Sequence, residues 1–288
     1  MDPKQIVVLA LQASIFLTVF SFGLRARWTD ILTIVRQPGK LVRSLVSLFV
    51  VMPLVAVFLD KTFDLRQPVK IALAALAISP IPPIFPIQAG KAGGPRAFTL
   101  GLLETAALLS IVVVPLALEL LQRAFDQPLA ITPWAVARLA LITVLVPILA
   151  GMTFRSMASA VADRIARPVM IVAAVLLGAG SLVILFVSMP AIKRLIGDGT
   201  LLAMAAFAAV GLVTGHLLGG PDPHERAVLA LSSACRHPGI ALAIATANYP
   251  AEQLAPAAVL LYVLIAAAIC FPYVTWQHRR ATAMASAN

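Results

Sequence analysis

Arg236, His237, Pro238 and Gly239 follow one another inside an apolar run from 224 to 248. Guanidinium is a permanent cation with five N–H donors, and setting one at a bilayer centre costs about 2.5 to 3.5 kcal/mol. It therefore needs a partner or a cavity, and it is a functional candidate. The proline beside it supplies no N–H and breaks the helical ladder. A second cluster, Ser79-Pro80-Ile81-Pro82-Pro83-Ile84-Phe85-Pro86, holds four prolines within seven residues. Glu104 lies well inside a third apolar run, where a carboxylate either finds a cation or takes up a proton. A cation, freed backbone amides and one acid are the groups that could bind an anion and move a charge.

The elements that carry these groups are set by composition. The chain has 288 residues, 61% hydrophobic and 12% charged, with a mean hydropathy of +0.98; soluble domains carry about 25% charged residues. The sequence predicts an all-α polytopic membrane protein. Runs long enough for a bilayer core, about 20 helical residues each, fall near 6–24, 41–59, 69–91, 97–121, 132–154, 165–188, 200–219, 224–248 and 252–276, which makes nine transmembrane helices in a single unit spanning 1–288. No soluble domain or long linker is expected. The first run is followed by Arg25 and Arg27 without a small-residue cleavage pattern, so it reads as a retained helix and not a signal peptide.

A net charge of +10 does not point to nucleic acid, because the basic residues are spread over successive loops without a reading motif. Thirteen fall on one side (Arg25, Arg27, Arg36, Lys40, Arg43, Lys91, Arg96, Arg155, Arg164, Arg167, Arg226, Arg279, Arg280) and eight on the other. The positive-inside rule then puts the amino terminus outside and the carboxyl terminus in the cytoplasm, in the inner (plasma) membrane.

Both proline clusters must interrupt their helices, and irregular backbone at membrane depth is tolerated only against protein or a water-filled cavity. The two broken spans are five helices apart and so run in opposite directions. This is the pattern of an inverted repeat, here 4+5, with the first unit lacking its opening helix; paired breaks of this kind point to the site of a secondary transporter. Each helix restarts near Pro83 or Pro238-Gly239 and presents free amides and a positive dipole end, both favourable to an anion. The candidate substrate-binding residues are Pro82, Pro83, Ile84, Phe85, Arg236, His237, Pro238 and Gly239. Glu104 and Arg236 are expected as a charge pair, with Glu104 as a proton-coupling carboxylate in the sharper reading. His237 could hydrogen-bond substrate or titrate.

Other polar groups read as structural. Glu119 and Arg138 sit near helix ends where snorkelling suffices, and His216 beside Gly215 reads as a helix contact. Gln12, Ser14, Thr18, Ser21 and Gly23 line a cavity or pack helices. Met52-Pro53 and Val146-Pro147 occupy comparable places in the two halves. His224-Glu225-Arg226 lacks the second histidine of a zinc helix, no metal or cofactor is expected, and Cys235 and Cys270 read as buried free thiols.

Phe22-Gly23-Leu24 with Asp30-Ile31 and Gln37-Pro38-Gly39-Lys40, then Phe49-Val50-Val51-Met52-Pro53, then Ala227 to Asn248 with Gly239-Ile240-Ala241-Leu242-Ala243, resemble the bile acid:sodium symporter family and its wider bile/arsenite carrier superfamily. The resemblance implies a panel domain (6–24, 132–154, 165–188) moving against a core domain (41–59, 69–91, 97–121, 200–219, 224–248, 252–276) with two crossing broken helices. It implies alternating access for a small organic anion bound between them, and no enzyme activity. Where sodium-coupled members carry a sodium-binding Glu and Gln, this chain aligns Ser232 and Arg236, and Thr99 remains as a possible hydroxyl ligand. A guanidinium offers no lone pair to sodium. Sodium-independent transport is therefore expected, with Arg236 in the place of the coupling cation and protons among the alternatives. The competing readings are an arsenite-type export carrier, for which Cys235 would be the ligand, and a membrane anion sensor that does not transport.

Overall fold

The computed structural model describes residues 3–26, 36–82, 84–125, 134, 138 and 141–286, and every element among them is helical. In chain order these are α1 (Pro3–Gly23), α2 (Pro38–Thr62), α3 (Gln67–Ile78), α4 (Phe85–Lys91), α5 (Arg96–Phe125), α6 (Leu141–Met157), α7 (Ser159–Leu195), α8 (Thr200–Leu218), α9 (Pro223–Ala234), α10 (Pro238–Asn248) and α11 (Ala255–Ser286). Prolines stand at the first turn of α3, α4, α9 and α10, where the missing N–H would be unpaired in any case. Asp222 caps α9 by accepting from the His224 N–H at 2.8 Å.

Five stretches among the described residues are long and apolar enough to cross a membrane: Pro38–Thr62, Ser159–Leu195, Thr200–Leu218, Pro223–Thr246 and Ala255–Arg280. Leu9–Gly23, Gln67–Ile78 and Leu141–Met157 are shorter apolar helices. The chain is a multi-pass membrane protein, and five spans is the number that length and composition secure. The sixth expected span, 165–188, is extended at both ends into α7. Burial differs sharply between spans. The most apolar window of α7 has mean hydropathy 2.8 and only 11% of it is buried, whereas Pro223–Thr246 has 1.4 and is 78% buried. With lipid as solvent, the apolar helix goes outside and the one carrying polar groups goes to the centre.

The α1 helix packs on α6 and α7. Ser14 and Ser21 donate to the Ala173 and Ala166 carbonyls of α7 at 2.9 and 2.8 Å. Gly23 meets Gly151 of α6 so closely that a Cβ on either would strike the other's backbone. A second group forms around α9 and α10: α8 lies along α9, and α3 contacts α2, α10 and α11. Gly211 and Gly215 on α8 and Gly219 at its end each face the backbone of α9 at Ala234, Ala230 and Arg226, a spacing that brings two backbones together without side chains between. Large buried side chains, Met52, Leu76, Phe207 and Tyr262 among them, fill the core of this second group.

Candidate functional site

Both helix breaks are present and they touch. The first lies between Ile78 and Phe85, and the second between Ala234 and Pro238. The His237 N–H donates to the Pro80 carbonyl at 2.9 Å, joining one break to the other. Tyr262 of α11 steadies the second break by donating to the Ala234 carbonyl at 2.5 Å, and the Ser47 and Ser233 hydroxyls meet at 2.7 Å.

Arg236 is 3% exposed, and its head is a cap for carbonyls that prolines have orphaned. In a continuous helix the Leu76 carbonyl would take the N–H of residue 80, which is a proline. Instead Ser79 donates to it through its N–H and hydroxyl, and Arg236 Nε donates at 2.9 Å. The Ala77 carbonyl, stranded where the chain leaves the helix, accepts from Arg236 Nη2. The same Nη2 donates at 3.1 Å to the Leu48 carbonyl. Leu48 lies in a π turn, Ser47–Val51, that precedes Met52-Pro53; in the i to i−5 register it would look to residue 53, again a proline. One guanidinium thus ties the C-terminal end of α3 and the π turn of α2 to the second break, with its charge at the favourable end of the α3 dipole.

Glu104 is buried in α5, and the Nε and Nη2 donors of Arg236 go to backbone carbonyls.

A second local likeness has a narrower meaning than expected. Val146-Pro147 is also preceded by a π turn, Leu141–Leu145, the same accommodation of a proline as at Met52-Pro53. In a 4+5 repeat the second span answers to the seventh and not the fifth, so this pair reflects proline chemistry alone.

Two cavities flank α1. The first, about 400 Å³, lies between Leu11, Gln12 and Ile15 of α1, Leu177, Ser181, Ile184 and Leu185 of α7, Pro238, Gly239 and Leu242 of α10, and Leu260, Val263 and Leu264 of α11. Of the residues predicted to bind substrate, Pro238 and Gly239 line it. His237 faces inward as the cap of α10, its Nδ1 accepting from the Ile240 N–H at 3.3 Å. Phe85 is fully buried in the core and Ile84 is exposed. Pro82 is buried, its carbonyl accepting from the Phe85 N–H at 3.0 Å. Pro83 lies outside the described residues. The resemblance placed 165–188 in the panel, but the α7 wall residues Leu177, Ser181, Ile184 and Leu185 were not singled out from sequence, where Ser181 in an apolar helix was the one signal. The second cavity, about 330 Å³, is lined by Phe22, Arg25, Pro86, Ile87, Gly90, Gly94, Arg96, Thr99, Leu100 and Met170.

A central broken-helix pair in a polytopic bundle, with a cavity against the restart of one of them, is a carrier's architecture, and the sequence comparison agrees. The profile of the sodium bile acid symporter family matches residues 13–195. The chain belongs to that family. A search of the curated proteins finds no match. Membership makes the chain a membrane transporter of the bile acid symporter type, and the matched stretch includes α1, the first break and α7.

Thr99 and Ser232, expected from the resemblance as remnants of a cation site, both hydrogen-bond locally. The Thr99 hydroxyl donates to Pro95 at 2.8 Å and the Ser232 hydroxyl to Leu229 at 2.9 Å, each within its own segment. Thr99 lines the second cavity and not the ring of carbonyls around Arg236. The two thiols are neighbours: Cys235 Sγ lies 3.8 Å from Cys270 Sγ and donates to Gln88 Oε1 at 3.1 Å.

Proposed function

We propose that this family member is a secondary carrier of a small organic anion, working by alternating access without sodium. In this reading nine spans form an inverted 4+5 repeat. The panel of α1, α6 and α7 moves against a core of α2 to α5 and α8 to α11, and the substrate sits in the 400 Å³ cavity between them, against the start of α10. The apolar walls suit the body of the anion, while Gln12, Ser181 and the Gly239 N–H suit its polar end.

The observation that carries the sodium-independent part is the Arg236 head on the Leu76, Ala77 and Leu48 carbonyls. A sodium ion at such a crossing would be held by oxygens of this kind. A fixed cation that has already taken them leaves no vacancy for a mobile one, and it keeps the broken helices joined in every state of the cycle. The amino terminus outside and the carboxyl terminus inside follow from the basic loops.

The test is uptake of labelled keto acids, sulfonates and sterol conjugates into liposomes holding the purified protein, in sodium and in choline media. Equal uptake in both is expected. Stimulation by sodium overturns the role given to Arg236, and no uptake of any anion, with binding retained, turns the reading to a sensor. If Glu104 carries a coupling proton, Glu104→Gln flattens the pH dependence of uptake, and a full dependence in that variant removes Glu104 from coupling. The Cys235–Cys270 pair favours a second reading, carriage of trivalent arsenic, which arsenite flux lost in Cys235→Ser would support.

A further inference from the structure

The two cavities differ in charge. Among the described residues the first is lined by no ionisable side chain, whereas the second has Arg25 at the end of α1 and Arg96 at the start of α5, with no carboxylate in its wall. Arg96 Nη2 donates to the Arg25 carbonyl at 2.9 Å, which ties the Arg96 head to the backbone at Arg25. Arg167 stands one turn before the wall residue Met170 on α7. Partial burial, then Arg96, then Arg167, all push the Arg25 guanidinium below its usual range, so the charges are close enough to repel one another. Nearby Arg155, by contrast, is matched by Asp163 at 2.7 Å. Like charges gathered at a concave site raise the local concentration of an opposite ion, and arginine forks suit carboxylate and phosphate geometry. Phe22, Ile87, Leu100 and Met170 give the same cavity an apolar side.

We propose that Arg25 and Arg96, with Arg167 beside them, form an oxyanion-binding site in this cavity that takes the carboxylate or phosphate head of an amphiphilic anion. The proposal deepens the transport reading and rests on it for its meaning: an anion carried through the cavity against α10 is met at the basic face by this second site. The wall joins α1 and α7 to α4 and α5, so an anion bound here bridges the two groups of helices.

The probes are hexyl phosphate, followed by thermal unfolding in neutral detergent, and dioleoyl phosphatidylglycerol, followed by native mass spectrometry. Binding of at least one is expected, weakened tenfold or more in Arg25→Gln/Arg96→Gln and weakened by added salt. Hexyl phosphate alone identifies a solute as the source, and the lipid alone identifies a headgroup. Binding of neither, or binding unchanged in the double variant, overturns the proposal. Should the double variant fail to fold, Arg167→Gln decides: weaker binding supports the site and unchanged binding overturns it. Liposome flux of organic anions is scored separately, so that absent flux with intact hexyl phosphate binding defeats the transport reading and leaves this site standing.

Discussion

Arg236 serves as a structural cation before it serves any ligand. Removing its head strands the Ala77 and Leu48 carbonyls and takes one donor from Leu76, which keeps Ser79, and an unsatisfied buried polar group costs about 1 to 3 kcal/mol. Arg236→Ala is therefore expected to destabilise the protein by more than about 2 kcal/mol, read as a large fall in the melting temperature of the detergent-solubilised protein. Arg236→Lys keeps the charge but loses the planar fork that reaches several acceptors at once, so it should melt between the two. A melting curve for Arg236→Ala that overlies the native one would mean the carbonyls find other donors. Tyr262→Phe tests the neighbouring brace: losing the bond to the Ala234 carbonyl should cost about 1 kcal/mol, a small and measurable drop by the same assay.

At the scale of elements, the contact between α8 and α9 depends on Gly211, Gly215 and Gly219 having no side chain. A Cβ at Gly215 would meet the backbone of Leu229 and Ala230, which cannot yield as a flexible side chain can. Overpacking typically costs about 1 to 3 kcal/mol; Gly215→Val should reach or exceed that and broaden the size-exclusion peak. Gly178, with nothing near its Cβ position, is the control, and Gly178→Ala should leave both stability and peak shape intact. The α9 helix carries the second break, so loosening its seat should also lower uptake before the fold is lost.

For the whole molecule, the alternating access proposed above requires the α1 and α7 side of the first cavity to move against α10 and α11. Gln12 and Leu242 face the same cavity from opposite walls. In a background with Cys235 and Cys270 replaced by alanine, Gln12→Cys/Leu242→Cys bridged by a bis-methanethiosulfonate reagent should stop uptake, and reductant should restore it. Cross-linked protein that transports at the full rate would rule out relative motion at this boundary. Gln12→Leu alone should lower uptake several-fold while leaving the melting temperature within a degree or two.

Composition and the period of apolar runs determined the helical membrane class, and the proline clusters determined that two spans are broken, because a missing N–H acts locally whatever surrounds it. The restart at Pro238 was legible for the same reason. What the tertiary structure decided is where the donors and acceptors meet. Sequence offered Arg236 as a buried cation by type alone, and packing of separate segments brought the carbonyls of Leu48, Leu76 and Ala77 to its guanidinium. Sequence also distributed Arg25, Arg96 and Arg167 among loops as a count of charge. Only folding set Arg25 and Arg96 on the wall of one cavity, since proximity between residues 71 positions apart in the chain is a property of packing and leaves no mark in either local sequence.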